Sequence, residues 1–195
     1  MKKRIAFVHN AMWEMYNFRG ELLQELKAKG YEITVICPPD EKNAHYFTDL
    51  GIKLLTVPMS RKGTNIKEDV QLVKNLFKVY KKEKFDLVFH YTIKPNIYGT
   101  LAAKLAGIKS IAITTGLGYV FLHNNITSLI DKFMYKFSLA FANEVWFLND
   151  DDMNIFLDKD LITERQAFKL PSEGINTKRF VPKEKNRKDS KTVFL

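Results

Sequence analysis

The chain has 195 residues, of which 46% are apolar and 13% aromatic, and this content supports the core of one large α/β domain and excludes a disordered tail. The formal net charge of +9 favours an anionic partner, such as nucleic acid, an anionic membrane surface or a phosphorylated substrate. Cys37 is the single cysteine, which excludes a disulfide framework, and no window approaches the ~20 consecutive apolar residues that span a bilayer. We therefore expect a cytoplasmic protein.

Strand and helix patterns alternate along the first half of the chain. Apolar runs closed by Gly, Pro or charged residues predict strands at 4–8, 33–37, 53–57 and 87–89. Apolar residues at helical spacing predict helices from about 18 to 29, 41 to 50 and 66 to 82. In the third helix, the residues expected to pack on the sheet are Ile66, Val70, Val73, Phe77 and Tyr80.

The same alternation continues through the second half. Strands are predicted at 110–114, 145–148 and 166–170, and helices at 97–106 and 126–141, with a shorter helix that Asp150 caps and that ends at 156. This order is typical of an α/β fold with a doubly wound, mostly parallel sheet and right-handed crossovers, which is a Rossmann-like domain.

The helix predicted at 126–141 carries an apolar stripe beside lysines. The stripe consists of Ile126, Leu129, Ile130, Phe133, Phe137 and Phe141. We expect the stripe to be core. Lys132 and Lys136 leave two interpretations open, a solvated face or attraction to an anionic membrane surface worth about 1 kcal/mol per charge.

The end of the chain predicts a boundary between domains. Residues 183–190 form a charged linker, and 191–195 have the composition of a strand that is just beginning. We therefore expect a domain at 1–182, the linker, and the first strand of a second domain. The alternative is a short strand added to the edge of the first sheet.

The strand ends show no motif for a nucleotide cofactor or a metal. A dinucleotide site needs a glycine-rich turn after the first strand, but the segment from His9 to Arg19 contains no glycine. The four histidines and one cysteine show no zinc spacing. Gly116 and Gly118, after the fifth strand, allow backbone N–H groups to approach phosphate or sugar oxygens, although a tight turn explains them equally well.

The strand at 87–89 is followed by a histidine and several polar side chains. His90, Thr92, Lys94 and Asn96 follow in close succession. In open α/β sheets, ligands bind beyond the carboxyl ends of the strands, so this segment is a candidate site. A structural histidine at a strand end is the alternative.

The order of these motifs resembles the N-terminal, acceptor-side domain of the family 4 glycosyltransferases of the GT-B fold, and most closely the bacterial enzymes that extend lipid-linked glycans, capsule or O-antigen repeat units. The resemblance spans essentially the whole chain. The segments that carry it are 8–10, 16–19, 30–38, His90 with 94–96, 115–118, the strand ending at Asn149, 170–176, and 179–180.

The resemblance implies roles for individual residues. His90 would face the catalytic cleft near the transferred sugar. The residues implied to bind the acceptor are Asn10, Tyr16, Asn17, Arg19, Thr92, Lys94, Asn96, Thr115, Gly116, Gly118 and Tyr119, and those implied at the cleft edge are Asn149, Glu173 and Gly174. Arg19 suits a diphosphate, and hydroxyl and amide groups suit sugar hydroxyls.

The family likeness also implies the reaction and its partners. Such enzymes transfer a sugar from a nucleotide diphosphate sugar, with retention of anomeric configuration and without a bound metal or cofactor. The acceptor would be a glycan or polyprenyl diphosphate glycan, and the donor would lie mainly in a C-terminal domain, so a chain ending at Leu195 is expected to be inactive alone.

The alternative is a Rossmann-like or flavodoxin-like module that binds a small anionic ligand or partner. Nucleic-acid binding would rest on charge alone, since exposed aromatic residues are not interleaved with the basic ones.

Overall fold

The computed structural model describes residues 2–60, 65–116, 126–174 and 176–181. Its strands are β1 (Arg4–Val8), β2 (Glu32–Cys37), β3 (Lys53–Thr56), β4 (Leu87–Tyr91), β5 (Lys109–Thr114), β6 (Glu144–Phe147) and β7 (Ala167–Lys169). They form one sheet in the order β3-β2-β1-β4-β5-β6-β7, and each neighbouring pair is parallel. The predicted doubly wound parallel sheet is confirmed.

Helices connect the strands on both faces of the sheet. They are α1 (Met12–Ala28), α2 (Glu41–Asp49), α3 (Ile66–Glu83), α4 (Thr100–Ala106), α5 (Ile126–Leu139) and α6 (Asp150–Asp158), and a π-helical turn (Pro95–Gly99) leads directly into α4. Within the described ranges, no helix is long and apolar enough to cross a membrane.

The two faces of the sheet are packed by different helices. Phe7 packs in a cluster with Met15 of α1 and Phe47 of α2. Its neighbour Val8 points to the opposite face, where it packs with residues of α3 and α4 because side chains alternate along a strand. On that same face, α5 and α6 cover Ala112 of β5 and the β6 side of the sheet.

Helix α1 begins at Met12, and the prediction of a start near Phe18 is wrong. The N-cap residue is Ala11, whose side chain makes no capping hydrogen bond, so the sequence carries no start signal. Tyr16 and Asn17, which the predicted bounds left before the helix, therefore lie on α1 together with Arg19.

Helix α3 packs through a face that is rotated from the predicted one. Ile66 and Val70 are 79% and 48% exposed, so their predicted core positions are wrong. The residues that are buried are Asp69, Leu72, Leu76, Tyr80 and Glu83. The pattern misled because two of these are carboxylates, which are buried only when they are paired.

Helix α5 and the turn that follows it expose three phenylalanines. Phe133, Phe137 and Phe141 are 67%, 50% and 36% exposed, so the expectation that this part of the stripe is core is wrong. The helix packs instead through Tyr135 and Leu139. The side chains of Ile126, Leu129 and Ile130 lie outside the described residues, as do 117–125 with Gly118 and Tyr119, and 182–195 with the predicted linker and terminal strand.

Candidate functional site

The carboxyl ends of β1, β4 and β5 meet at the point where the strand order changes direction. The chain runs outward from β1 through β2 to β3, then returns so that β4 lies on the other side of β1. Helices leave this crevice in opposite directions, and ligands of open α/β sheets bind at such a point. It is therefore the candidate site.

A cavity of about 250 Å³ lies at this edge, beyond β4 and β5. Its lining consists of Thr92, Ile93, Asn96, Thr114, Thr115, Gly116 and Tyr135. The structure thus brings together four residues that the sequence singled out, Thr92, Asn96, Thr115 and Gly116. Thr114 was not singled out, although it is the last residue of the predicted strand at 110–114.

Three buried oxygen atoms of this lining have no hydrogen-bond partner among the described residues. They are Thr92 Oγ1, Asn96 Oδ1 and Thr114 Oγ1. The Asn96 amide is oriented, because its Nδ2 donates to the Ile113 carbonyl at 3.0 Å. Buried polar groups are rarely left unpaired, so these oxygens single out this edge of the sheet as a candidate site.

Thr92 holds a strained backbone at the mouth of the cavity. Its φ angle is 70°, in the left-handed region that β-branched residues avoid. Such a conformation costs about 1–3 kcal/mol and persists where the surroundings fix it. The carbonyl of Thr92 accepts a hydrogen bond from the Asn96 N–H at 2.9 Å, which ties the strand end to the π-helical turn.

His90 is fully buried on the α3 and α4 side of the sheet. Its Nε2 lies 2.9 Å from the Tyr80 hydroxyl, and its Nδ1 lies 3.2 Å from the Thr100 hydroxyl. Burial lowers the pKa of the ring from 6.5 to about 3, so it is neutral near pH 7. A Cβ on Gly99 would lie 2.7 Å from the ring, so the π-helical turn needs glycine there.

This geometry gives His90 the contacts of a positioning residue. Both ring nitrogens form hydrogen bonds with buried hydroxyl groups, those of Tyr80 and Thr100, and the ring thereby holds β4 against α3 and α4. The catalytic role that the resemblance implied for it stays a prediction. His90 is one residue removed from Tyr91 and two from Thr92, so its packing fixes the strand end that carries the cavity.

The Lys94 side chain is held away from the cavity by an ion pair. Its ammonium lies 2.7 Å from Asp69 Oδ1 and donates to Ser60 Oγ at 2.9 Å. The Tyr98 hydroxyl donates to the other carboxylate oxygen of Asp69 at 2.8 Å. The lysine therefore joins α3 and the segment after β3 to the start of the π-helical turn, and its predicted contact with an acceptor stays untested.

Arg19 of α1 lies beside a second, larger cavity of about 790 Å³ that runs along the sheet face next to α1. Its guanidinium is buried, donates to the two carboxylate oxygens of Glu173 at 2.5 and 2.6 Å, and lies 4.4 Å from the ring centre of Tyr91. Arg19 Nε has no partner among the described residues. Burial raises the pKa of Tyr91 to about 12, against the opposing effect of Arg19.

The segment after β7 packs across α1, and we call its residues 171–174 and 176–181 the strap. Besides the Glu173 contact, Arg179 donates to Asn17 Oδ1 at 2.7 Å and lies 5.0 Å from the ring centre of Tyr16. Gly174 has a φ of 72°, a turn conformation that favours glycine. The structure thus brings five predicted residues together on α1 and the strap, on the far side of β4 from Thr114 and Gly116. They are Tyr16, Asn17, Arg19, Glu173 and Gly174.

The end of β1 holds a pair that the sequence did not single out. The N–H of Ala11 donates to His9 Nδ1 at 3.0 Å, and His9 Nε2 lies 3.5 Å from Glu14 Oε2. Asn10 Oδ1 is buried without a partner among the described residues. The sequence did not indicate this pair, because the start of α1 at Met12, which places Glu14 in the first helical turn, carries no sequence signal.

Asn149 is accounted for by its local role. Its side chain caps α6 by accepting from the Asp152 N–H at 2.7 Å, so Asn149, and not Asp150, is the cap. Elsewhere in the described ranges, no three His, Cys, Asp or Glu side chains are grouped closely enough to hold a metal ion.

Comparison with known proteins gives the family. The family model described as "Glycosyl transferase 4-like" matches residues 4–149, from the start of β1 to the cap of α6. The chain belongs to the glycosyl transferase 4-like family. The resemblance stated from the sequence motifs is therefore confirmed.

Two curated relatives of the chain are bacterial enzymes. The chain is 32% identical over 187 residues to the N,N'-diacetylbacillosaminyl-diphospho-undecaprenol alpha-1,3-N-acetylgalactosaminyltransferase of Campylobacter jejuni, covering 92% of this chain and 48% of the relative. It is 24% identical over 153 residues to the UDP-Gal:alpha-D-GlcNAc-diphosphoundecaprenol alpha-1,3-galactosyltransferase of Escherichia coli, covering 78% of this chain and 39% of the relative. The chain thus spans half or less of the length of these relatives.

Solved structures share the fold at low sequence identity. The chain is similar to Acinetobacter baumannii MurG with a TM-score of 0.60 and 13% identity, covering 95% of this chain and 47% of that one. It is similar to the UDP-GlcNAc 2-epimerase of Neisseria meningitidis with a TM-score of 0.64 and 14% identity, covering 87% and 47%. At this identity the likeness establishes the fold alone, and the chemistry has to be argued from the residues of the site.

Proposed function

We propose that this chain is the acceptor-side half of a retaining glycosyltransferase that transfers a sugar from a nucleotide diphosphate sugar to a lipid-linked glycan. The observation that carries the proposal is the cavity at the ends of β4 and β5, with its three buried, unpartnered oxygen atoms. Hydroxyl and amide oxygens at the switch point of an open sheet suit the hydroxyl groups of a sugar. The chain alone holds only one wall of the site and is expected to be inactive.

The printed names of the relatives support the acceptor class. Both curated relatives act on a sugar joined through a diphosphate to undecaprenol. In this chain, Arg19 is buried beside Tyr91, and its Nε has no hydrogen-bond partner among the described residues. A guanidinium binds phosphate oxygens through fixed N–H donors, so Arg19 is the proposed partner of the acceptor diphosphate.

The acceptor roles of the remaining predicted residues follow from this arrangement. Thr92, Asn96 and Thr115 would contact the sugar, and the backbone at Gly116 would approach it closely. Asn10, Tyr16 and Asn17 would border the lipid-linked part together with the strap. Lys94 and His90 would act through the packing of the strand end, which fixes the positions of Thr92 and Asn96.

The exposed phenylalanines of α5 and of the turn after it support peripheral binding to the inner face of the cell membrane. The Phe137 and Phe141 rings are 5.4 Å apart, and Phe133 lies one helical turn before Phe137. Lys136 is exposed beside them, and Lys104 lies 5.4 Å from the ring centre of Phe141. An apolar stripe with adjacent cations matches an anionic lipid surface, and the net charge of +9 adds to this attraction.

A transfer assay tests the proposed reaction. The full-length gene product is incubated with a panel of UDP-sugars and undecaprenyl diphosphate carrying a single N-acetylated sugar, and the product linkage is read by NMR. We expect one UDP-sugar to be transferred with retained configuration, and chain 1–195 alone to give no product. A folded full-length protein that binds the acceptor and transfers no sugar would favour the alternative, a binding module without chemistry.

Vesicle sedimentation tests the membrane contact. Binding to vesicles with 30% anionic lipid is compared for the parent and Phe137→Ser, with Phe168→Ser, an exposed phenylalanine on the opposite face, as the matched control. We expect a several-fold loss for Phe137→Ser alone, and weaker binding of the parent at high salt. Equal binding to anionic and neutral vesicles would contradict the electrostatic part of the proposal.

A further inference from the structure

The outer side of α3 carries four exposed lysines in a row. They are Lys67, Lys74, Lys78 and Lys81, and we call them the lysine row. Their spacings of seven, four and three residues place all four on one side of the helix. At a rise of about 1.5 Å per residue, the row is about 21 Å long, so it covers almost the full length of α3.

The charge of the lysine row is not neutralised by carboxylates. None of its members forms an ion pair with a carboxylate among the described residues. The two buried carboxylates of α3, Asp69 and Glu83, are paired with Lys94 and Lys53 from other elements. Glu68, the remaining acidic residue of α3, lies in the first turn. The positive charge of the row is therefore available to an anionic partner.

The lysine row and the exposed phenylalanines of α5 lie on the same face of the sheet. Helix α3 packs on this face against Val8, and α5 packs on it against Ala112. Helix α4 contacts both of them and exposes Lys104 and Leu105, and the Lys104 ammonium lies 5.4 Å from the ring centre of Phe141. Across three neighbouring helices, the surface thus changes from cations at α3 to apolar side chains with adjacent cations at α5.

Exposed carboxylates mark the limits of this surface. Beyond α5, the next helix, α6, exposes Asp150, Asp151 and Asp158. On the opposite face of the sheet, α1 exposes Glu21 and Glu25. An anionic surface repels these carboxylates and attracts the lysine row, so the distribution of charge gives the molecule a preferred side.

An anionic bilayer is the partner that fits both parts of this surface. It offers negative headgroups to the lysines and a hydrocarbon phase to Leu105, Phe137 and Phe141, whereas the outside of a nucleic-acid duplex offers phosphates alone. We infer that the lysine row of α3 is a docking site for the headgroups of anionic phospholipids. It lies on a different helix from the apolar contact of α5, and the two together lay the outer side of α3, α4 and α5 on the bilayer.

The lysine row also sets how the domain lies on the bilayer. Helix α3 connects two strands of a parallel sheet, so its axis runs alongside the strands. A row that follows this axis lays the strands along the membrane plane. The crevice at the carboxyl ends of β1, β4 and β5 then opens sideways over the lipid surface. Use of this orientation to reach a lipid-linked acceptor rests on the proposed function, whereas the docking itself does not.

Vesicle sedimentation of the chain tests the docking site. The vesicles contain 30% phosphatidylglycerol in phosphatidylcholine, and the variant combines Lys74→Gln with Lys78→Gln. We expect about a 25-fold loss of affinity, since each lysine near the surface contributes about fivefold. The matched control combines Lys29→Gln with Lys42→Gln, which removes the same charge from exposed residues of α1 and α2 on the opposite face. Because salt screens charges that lie far from the bilayer, the control should lose less than about twofold.

Two outcomes of this comparison would overturn the docking site. Equal losses in the two double variants would mean that net charge alone attracts the chain to the vesicles. A duplex RNA oligonucleotide serves as the second probe. Loss of RNA binding in the α3 variant, with vesicle binding unchanged, would assign the row to nucleic acid.

Spin labelling tests the orientation on the bilayer. A nitroxide is attached at Gln71→Cys on α3 and, as the control, at Gln24→Cys on α1, both of which are exposed positions, while Cys37 is buried. On binding to the anionic vesicles, the label at 71 should become less accessible to a water-soluble nickel relaxation agent, and the label at 24 should not. Equal accessibility at both positions would contradict the orientation.

The full-length gene product separates docking from transfer. With a lipid-linked acceptor in anionic vesicles, the α3 variant should raise the acceptor KM, and with the same acceptor in detergent it should match the parent. Vesicle binding with the expected loss in the variant, but no transfer from any UDP-sugar, would keep the docking site and overturn the glycosyltransferase. Sugar transfer by a protein whose vesicle binding is the same in parent and variant would keep the glycosyltransferase and overturn the docking site.

Discussion

The buried imidazole of His90 predicts a specific loss of stability in acid. Burial lowers its pKa from 6.5 to about 3 in the folded protein. Below pH 6.5 the unfolded chain therefore binds a proton that the folded state does not, and the free energy of unfolding falls as the pH falls toward 3. Each pH unit in that window removes about 1.4 kcal/mol, so the loss at pH 5 is about 2 kcal/mol.

Urea unfolding at pH 7.5 and pH 5.0 measures this loss. His90→Gln removes the titrating ring, so the difference in unfolding free energy between the two pH values should shrink by about 2 kcal/mol relative to the parent. His45→Gln, which replaces an exposed histidine, controls for the loss of an imidazole as such. The same pH dependence in the parent and in His90→Gln would refute the reasoning from burial.

Three further substitutions test the packing around the site by urea unfolding. Lys94→Met leaves the buried Asp69 carboxylate without its cation and should destabilise by about 3 kcal/mol, with partial recovery when Asp69→Asn is added; no recovery would argue against the ion pair. Gly99→Ala forces a Cβ into the His90 ring and should cost about 1–3 kcal/mol, and less when His90→Ala is also present; equal costs in both backgrounds would argue against that contact. Asn149→Ala removes the cap of α6 and should cost about 1 kcal/mol, and an unchanged midpoint would contradict the capping role.

The doubly wound, mostly parallel sheet could be predicted from the sequence because buried parallel strands are continuous apolar runs. The runs at β1, β2 and β4 stand between clear helix patterns and turn residues, and the alternation then dictates a parallel, doubly wound sheet. Strand bounds differ from the prediction by at most two residues, which is the usual uncertainty of strand ends.

The buried faces of the helices were harder to predict from the sequence, because the polarity of a residue does not show whether it is paired in the folded structure. Asp69 and Glu83 are buried in α3 because Lys94 and Lys53 neutralise them, and both partners come from other elements. In α5, Ser138 is buried because its hydroxyl donates to the Met134 carbonyl, while Phe137 faces outward. A surface phenylalanine next to a buried serine reverses the expected amphipathic pattern.

Only some of the site residues could be predicted from the sequence, because others depend on contacts between distant segments. Thr92 and Asn96 follow a strand end in the sequence, and the topology places them at the switch point together with Thr115. The Arg19 to Glu173 contact joins residues 154 positions apart, so no local pattern links them. Likewise, the engagement of both His90 ring nitrogens by hydroxyl groups depends on α3 and α4, so no local pattern around His90 predicts it.

Hydrogen–deuterium exchange of the full-length protein, with and without a short-chain polyprenyl diphosphate N-acetylglucosamine, tests the central claim most directly. If this half of the enzyme holds the acceptor, protection should appear at 91–97, at 113–116 and along α1 near Arg19. Protection confined to residues outside 1–195 would contradict the assignment of the acceptor to this half.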